Sequence, residues 1–276
     1  DYAQALLILD DMLKRNKTPE LMATYQKIAL NRAIQLLQAK DLAGAQKHLQ
    51  MAIDNPVDPR VLAISLFWMA DIANREGKYQ ESVQYVDRFL TAARTLNDLP
   101  EESGVVSANY LQGYNFLKTE NYDRSRSFFQ ATVDALNKNR RLFSNTEMTN
   151  GMLGDATMRL GDAYFRINQY NNAAQYYDEV INKRYAGYDY AIFQKALIEG
   201  LRGRKTEEIA ALQRIEREFP NSEYSDDALF RLGATYQEIG KLSDALEPFR
   251  TLVSKYRAKS PLVNKALLQL GLISYN

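Results

Sequence analysis

Residues 160–177, LGDAYFRINQYNNAAQYY, return as LGATYQEIGKLSDALEPF at 232–249. Leu, Gly, Tyr, Ile and Ala recur at identical offsets, and an aromatic, Tyr177 or Phe249, closes each copy. No other property of the chain constrains its fold as much, because each copy is one supersecondary unit whose apolar face is buried only by its neighbours. With the glycine of each LG taken as position 8, small residues fall at Ala33, Ala70, Gly113, Gly161, Ala196, Gly233 and Gly271. Twelve residues on, at position 20, stand Ala45, Ser82, Ser125, Ala173 and Ala245, with Glu208 the exception. Position 24 is large and apolar throughout: Leu49, Val86, Phe129, Tyr177, Leu212 and Phe249.

These columns resemble the tetratricopeptide repeat, a helix–turn–helix unit of about 34 residues with the pattern G…Y…A…F…P. The matching residues are Gly161, Tyr164, Ala173 and Tyr177 in one unit and Gly233, Tyr236, Ala245 and Phe249 in another, with Pro220 in a proline place. The resemblance covers essentially the whole chain. It implies an all-α fold, a right-handed α-solenoid forming a single array over 1–276. The opening DYAQALLIL fits the second helix of a unit, so the count is one second helix, six full pairs and one first helix, about fourteen helices. Neither end carries the polar outer face of a terminal repeat, and the chain reads as a fragment of a longer array. Turns between paired helices are expected near 39–42, 76–79, 119–122, 168–171, 202–205 and 240–243. Small residues at positions 8 and 20 let the two helices approach closely, and Tyr2, Tyr79, Tyr122 and Tyr170 stand in the turn.

Position-8 residues lie 35–48 apart, longer than the usual unit. Helix-start signals account for part of the excess: Thr18 before Pro19, Asp58 before Pro59, Ser260 before Pro261, and a capping-box pattern of Ser144 with Glu147. The unit with Glu208 in the tight contact is the irregular one. Residues 189–220 are expected to form the least compact pair, and Glu208→Ala to be neutral or stabilising.

Several function classes are disfavoured by composition. The chain has no cysteine and a single histidine, His48, which removes cysteine nucleophiles, thiolate zinc sites and multi-histidine metal sites. Thirty-five Lys plus Arg against 34 Asp plus Glu leave a net charge of +1. The only basic knot is Lys138, Arg140 and Arg141, so a nucleic-acid partner is not expected. No apolar run reaches the length of a membrane span. No Gly-rich phosphate loop or carboxylate cleft is recognisable. Acid pairs at 10–11, 101–102, 207–208 and 226–227 read as helix-start charges. No enzyme activity, metal or cofactor is implied.

What remains is a surface for a protein or peptide. In the family that the repeats resemble, positions 2, 5, 6, 9, 12 and 13 of the first helices line a groove. Here position 5 carries Phe67, Tyr110, Phe193 and Phe230, and position 9 carries Asp71 and Tyr114. Arg159 and Arg231 stand at position 6, each four residues after an aspartate, Asp155 or Asp227, that can neutralise it. Trp68, the only tryptophan, lies beside Phe67. The position-5 column also suits packing between helices. The groove reading takes Phe67, Trp68, Asp71, Tyr110, Tyr114, Arg159, Phe193, Phe230 and Arg231 as contacts. The Lys/Asn/Arg clamp with which some family members hold a terminal carboxylate is not reproduced: Lys27 and Asn31 are followed by Trp68, then Ser107 and Leu111.

The turn Pro220, Asn221, Ser222, Tyr224, Asp227 and Ala228 resembles the bacterial envelope branch of the family, typified by the outer-membrane barrel-assembly lipoprotein and the periplasmic cell-division coordinator. That resemblance implies a periplasmic or outer-membrane-associated scaffold. The alternative is a cytoplasmic sensor whose solenoid binds a signalling peptide.

Overall fold

The computed structural model describes residues 2–139 and 143–275. Among them there is no strand, and fourteen α-helices follow one another. They are α1 Tyr2–Arg15, α2 Pro19–Gln38, α3 Leu42–Asp54, α4 Pro59–Arg75, α5 Tyr79–Ala92, α6 Val105–Lys118, α7 Tyr122–Asn139, α8 Thr146–Arg166, α9 Tyr170–Lys183, α10 Tyr188–Leu201, α11 Lys205–Glu218, α12 Ser225–Glu238, α13 Leu242–Tyr256 and α14 Val263–Tyr275. Two short 3-10 turns, Ala93–Thr95 and Glu101–Ser103, lie between α5 and α6. The chain forms two compact units, Asp1–Ala156 and Thr157–Asn276, divided within α8. Of the basic knot, Arg140 and Arg141 lie outside the described residues, while Lys138 is in the last turn of α7.

All six expected turns are present, and each is closed the same way. The middle residue of each three-residue turn is left-handed: Lys40, Gly77, Glu120, Asn168, Gly203 and Gly240. The residue after it donates its N–H back to the fifth residue before, at 2.9 Å for Asp41 to Leu36 and 2.8 Å for Lys78 to Ala73. This is the Schellman closure, which satisfies carbonyls left open at a helix end. Glycine suits the left-handed site, but Lys40 and Glu120 occupy it with side chains that disfavour it.

The close contact sits where positions 8, 20 and 24 meet. The position-20 residues Ala45, Ser82, Ser125, Ala173, Glu208 and Ala245 are fully buried. Size at position 8 is matched to size at position 24. Gly113, Gly161 and Gly233 lie beneath the rings of Phe129, Tyr177 and Phe249, where an added Cβ would fall 2.8, 2.6 and 2.7 Å from a ring carbon. Where position 8 is alanine, at Ala33, Ala70 and Ala196, position 24 is the smaller Leu49, Val86 or Leu212. Two serines add a bond across the contact: Ser82 Oγ donates to Ala70 O at 2.8 Å and Ser125 Oγ to Gly113 O at 2.9 Å. The α10–α11 pair is joined less extensively than the α2–α3, α4–α5, α6–α7 and α12–α13 pairs.

The helix starts confirm some caps and correct others. Thr18 Oγ1 accepts from Leu21 N at 3.2 Å, and Asp58 Oδ1 accepts from Arg60 N at 2.8 Å. The capping box at Ser144 does not form. Asn145 Oδ1 accepts from Met148 N, whereas the N–H and hydroxyl of Ser144 are turned to the Glu101 carboxylate at 2.6 and 2.9 Å. Ser260 Oγ accepts from Leu262 N in a turn, and α14 begins only at Val263. Asp10 and Asp11 stand late in α1, not at its start, and pair with Lys14 and Arg15 four residues on.

Replacing the exposed Lys40 with glycine is expected to raise stability by about 0.5–1 kcal/mol, read by urea denaturation, since the left-handed strain goes. Gly233→Ala should cost about 1–3 kcal/mol through overpacking against Phe249. Combining it with Phe249→Leu, which recreates the Ala/Leu pairing of other units, should cost less than the two single changes summed. Strict additivity in the double-mutant cycle would refute the size matching.

Candidate functional site

Three successive first helices of the first unit enclose a cavity of about 350 Å³. α4 supplies Phe67, Asp71 and Asn74, and α6 supplies Ser107, Tyr110, Leu111 and Tyr114. Every one of these stands at a groove position expected from the repeat. Met148 and Met152 come from the early turns of α8, and Glu102 from the 3-10 turn before α6. The longest gap between position-8 residues, from Gly113 to Gly161, thus includes helix that walls this cavity.

Four of the expected contacts, Phe67, Asp71, Tyr110 and Tyr114, meet here. Trp68 does not line the cavity. It is half-buried against the core of the first unit, with its ring edge-on to Phe67 at 5.3 Å. Neighbours on a helix point about 100° apart, so Phe67 and Trp68 cannot both face one groove. Phe67 is itself only 5% exposed.

The two tyrosines are held rigidly. Their rings meet edge-to-face at 5.2 Å, and both pack on Phe129, the position-24 ring. Both hydroxyls donate to Asp155 Oδ2, Tyr110 at 2.8 Å. Burial, and then the Asp155 charge, push the Tyr110 phenol far above its ordinary pKa, so it stays a neutral donor. Asp71 is different. Arg75 Nη2 approaches its Oδ2 at 2.7 Å, but out of alignment, and that oxygen is buried without a directed hydrogen bond. Burial pushes the Asp71 carboxyl above the usual range, and Arg75 offsets this only in part.

The remaining expected contacts belong to the second unit and are bound up in its packing. Arg159 Nη1 donates to Asp162 Oδ2 at 2.7 Å, and Asp162 Oδ1 accepts from Tyr177 and Tyr190 at 2.7 and 2.8 Å. Phe193 stacks on Tyr224 at 5.9 Å, and Phe230 meets Phe249 edge-on at 5.7 Å. Arg231 is not paired with Asp227. Its Nε donates to Glu208 Oε1 at 2.5 Å and its Nη1 to Glu238 Oε1 at 3.1 Å.

That pairing overturns the expectation that Glu208→Ala is neutral or stabilising. Glu208 is fully buried, but Lys205 Nζ meets its other oxygen at 3.1 Å. Gly200 on α10 leaves the space its carboxylate occupies, since a Cβ there would lie 2.5 Å from Oε1. Lys205 also bonds Glu238 at 2.5 Å, closing a four-residue network from α11 to α12. Among the described residues no group of three or more His, Asp or Glu could hold a metal ion. His48 is half-buried, with Nδ1 2.8 Å from Gly44 O.

A family model for the tetratricopeptide repeat matches residues 158–223, and a second matches 227–258. The chain carries tetratricopeptide repeats. No curated protein matches it in sequence. Among solved structures it is similar to YrrB, described as a TPR protein with an unusual peptide-binding site, at 18% identity and TM-score 0.56 over 83% of this chain and 98% of that one. It is similar also to PilW, described as a widely conserved type IV pilus biogenesis factor, at 13% and 0.60 over 88% and 98%. The apo form of RapI matches at 16% and 0.58 over 99% and 80%. At these identities the likeness is one of fold. Tetratricopeptide repeats are in general scaffolds for protein or peptide partners, and no helix among the described residues is long and apolar enough to cross a membrane.

Glu208→Ala is expected to lower stability by about 1–3 kcal/mol. It removes the partner of a partly buried arginine, while Glu238 and solvent still serve Arg231 and Lys205. A thermal melt unchanged or raised would show that the network contributes nothing.

Proposed function

We propose that this chain is a non-enzymatic scaffold of the bacterial cell envelope that holds a segment of a partner protein in the first-helix cavity of its first unit. The cavity itself carries the reading: it gathers Phe67, Asp71, Tyr110 and Tyr114 from successive repeats into one concave site. Ligand sites of proteins are concave and mostly apolar, with a few placed polar groups. Tyrosines held by a half-buried carboxylate need no reorganisation when a partner arrives, which lowers the cost of binding. The peptide-binding site described for YrrB supports the ligand class. The description of PilW supports the compartment, as does the Pro220–Ala228 turn. In that turn Ser222 Oγ donates to Asp189 Oδ2 at 2.6 Å and Ser225 Oγ to Phe219 O at 2.9 Å, fastening one repeat to the next.

Peptides selected from a phage-displayed random library on the purified chain should bind the wild type and lose binding to Met152→Trp, which fills the cavity from α8. The melting temperature should move little, because Met152 is only half-buried. Peptides that bind Met152→Trp as well as the wild type would overturn the docking site. Fractionation of the source bacterium tests the compartment separately: recovery of the full-length protein from the cytosol would overturn the envelope assignment.

A further inference from the structure

We infer that the cavity is built for a cation, and that the partner segment places a lysine or arginine side chain in it. The inference rests on the docking role proposed above and adds the chemistry of the guest. Among the described residues no lysine or arginine lines the cavity, whereas Asp71 and Glu102 both do. The hydroxyl donors of the lining are already spent. Tyr110 and Tyr114 donate to Asp155, and Ser107 Oγ donates to Glu101 O at 2.6 Å. Asn74 Nδ2 donates to Asn115 Oδ1 at 2.8 Å. A carboxylate guest would therefore meet carboxylates and aromatic rings, and the cation nearest the described lining, Arg75, is already engaged by Asp71 at 2.7 Å.

A cation meets the opposite surroundings. Aromatic faces attract cations through the ring quadrupole, most strongly where water is excluded. The rings of Tyr110 and Tyr114 are fixed edge-to-face, with their hydroxyls engaged by Asp155. Asp71 keeps a buried oxygen whose ion-pair partner, Arg75 at 2.7 Å, makes no directed hydrogen bond to it, and its side chain is 18% exposed. A guest ammonium or guanidinium can give that oxygen an aligned donor, and its charge offsets the cost that burial imposes on the carboxylate. Glu102 makes no ion pair among the described residues and stands exposed at the edge of the cavity, placed to draw in a positive side chain. Met148 and Met152 form an unbranched, adaptable wall suited to a long aliphatic stem.

The test uses the same phage-displayed random library and then synthetic peptides made from the enriched sequences. Basic residues should be enriched, and replacing the key lysine with norleucine should weaken binding about tenfold. Asp71→Asn combined with Glu102→Gln should weaken the lysine peptide by a similar factor without weakening its norleucine analogue, and added salt should weaken the lysine peptide alone. Glu102 is exposed, so Glu102→Lys should leave the fold intact and shift preference toward a glutamate analogue. Peptides that lose binding to Met152→Trp but are acidic or purely apolar, and are indifferent to Asp71→Asn and Glu102→Gln, would overturn the cation assignment and leave the docking site standing. Peptides indifferent to Met152→Trp, or no enrichment at all, would count against both.

Discussion

The contact between positions 8 and 24 is the constraint on which the rest of the structure depends. A helix pair can expose its turn and one face to water, but the line where the two helices meet must exclude it. Here the meeting point is made by a residue without a side chain lying under an aromatic ring, or by alanine facing an aliphatic one. Interiors pack as densely as organic crystals, so the two sizes have to be chosen together. Phe129 shows the consequence for the site: its ring covers Gly113 and also packs against Tyr110 and Tyr114. The residue that sets the spacing between helices also seats the aromatics of the cavity.

Polar groups in and beside the interior follow a second rule, that a buried or half-buried carboxylate is as a rule shared among several donors. Asp155 is shared by two tyrosines of the neighbouring repeat, and Asp162 by Tyr177, Tyr190 and Arg159. Asn115 links α4, α5 and α6, accepting from Asn74 and donating to Ser82 at 2.8 Å. Glu208 is the largest departure from the repeat pattern and follows the same rule, with Lys205 and Arg231 as partners. Asp71 alone of the carboxylates in the cavity wall has a buried oxygen with no directed hydrogen bond. Among the described residues no other buried side-chain oxygen lacks a hydrogen bond, and that exception lies in the wall of the cavity.

The sequence by itself determined the elements and their pairing. The helix pairs, their six turns and the small-residue columns depend on interactions within about thirty residues, and they recur, so each copy corroborates the others. The left-handed turn position was legible where glycine or asparagine marks it, at Gly77, Asn168, Gly203 and Gly240, and silent at Lys40 and Glu120. There the demand of the closure overrides the preference of the residue.

Only the tertiary structure decided which side chains meet across repeats. Arg231 reaches Glu208 from 23 residues away, and Tyr110 reaches Asp155 across 45. Neither partnership leaves a periodic trace, because each occurs once. Phe67 and Trp68 are adjacent in sequence and equally aromatic, yet one borders the cavity and the other packs on the core. A helix rotates each successive side chain by about 100°, and a few tens of degrees in how a helix is seated decide which of two neighbours faces the groove. Periodicity names the face of a helix, whereas the packing of the repeats on either side decides what that face is used for.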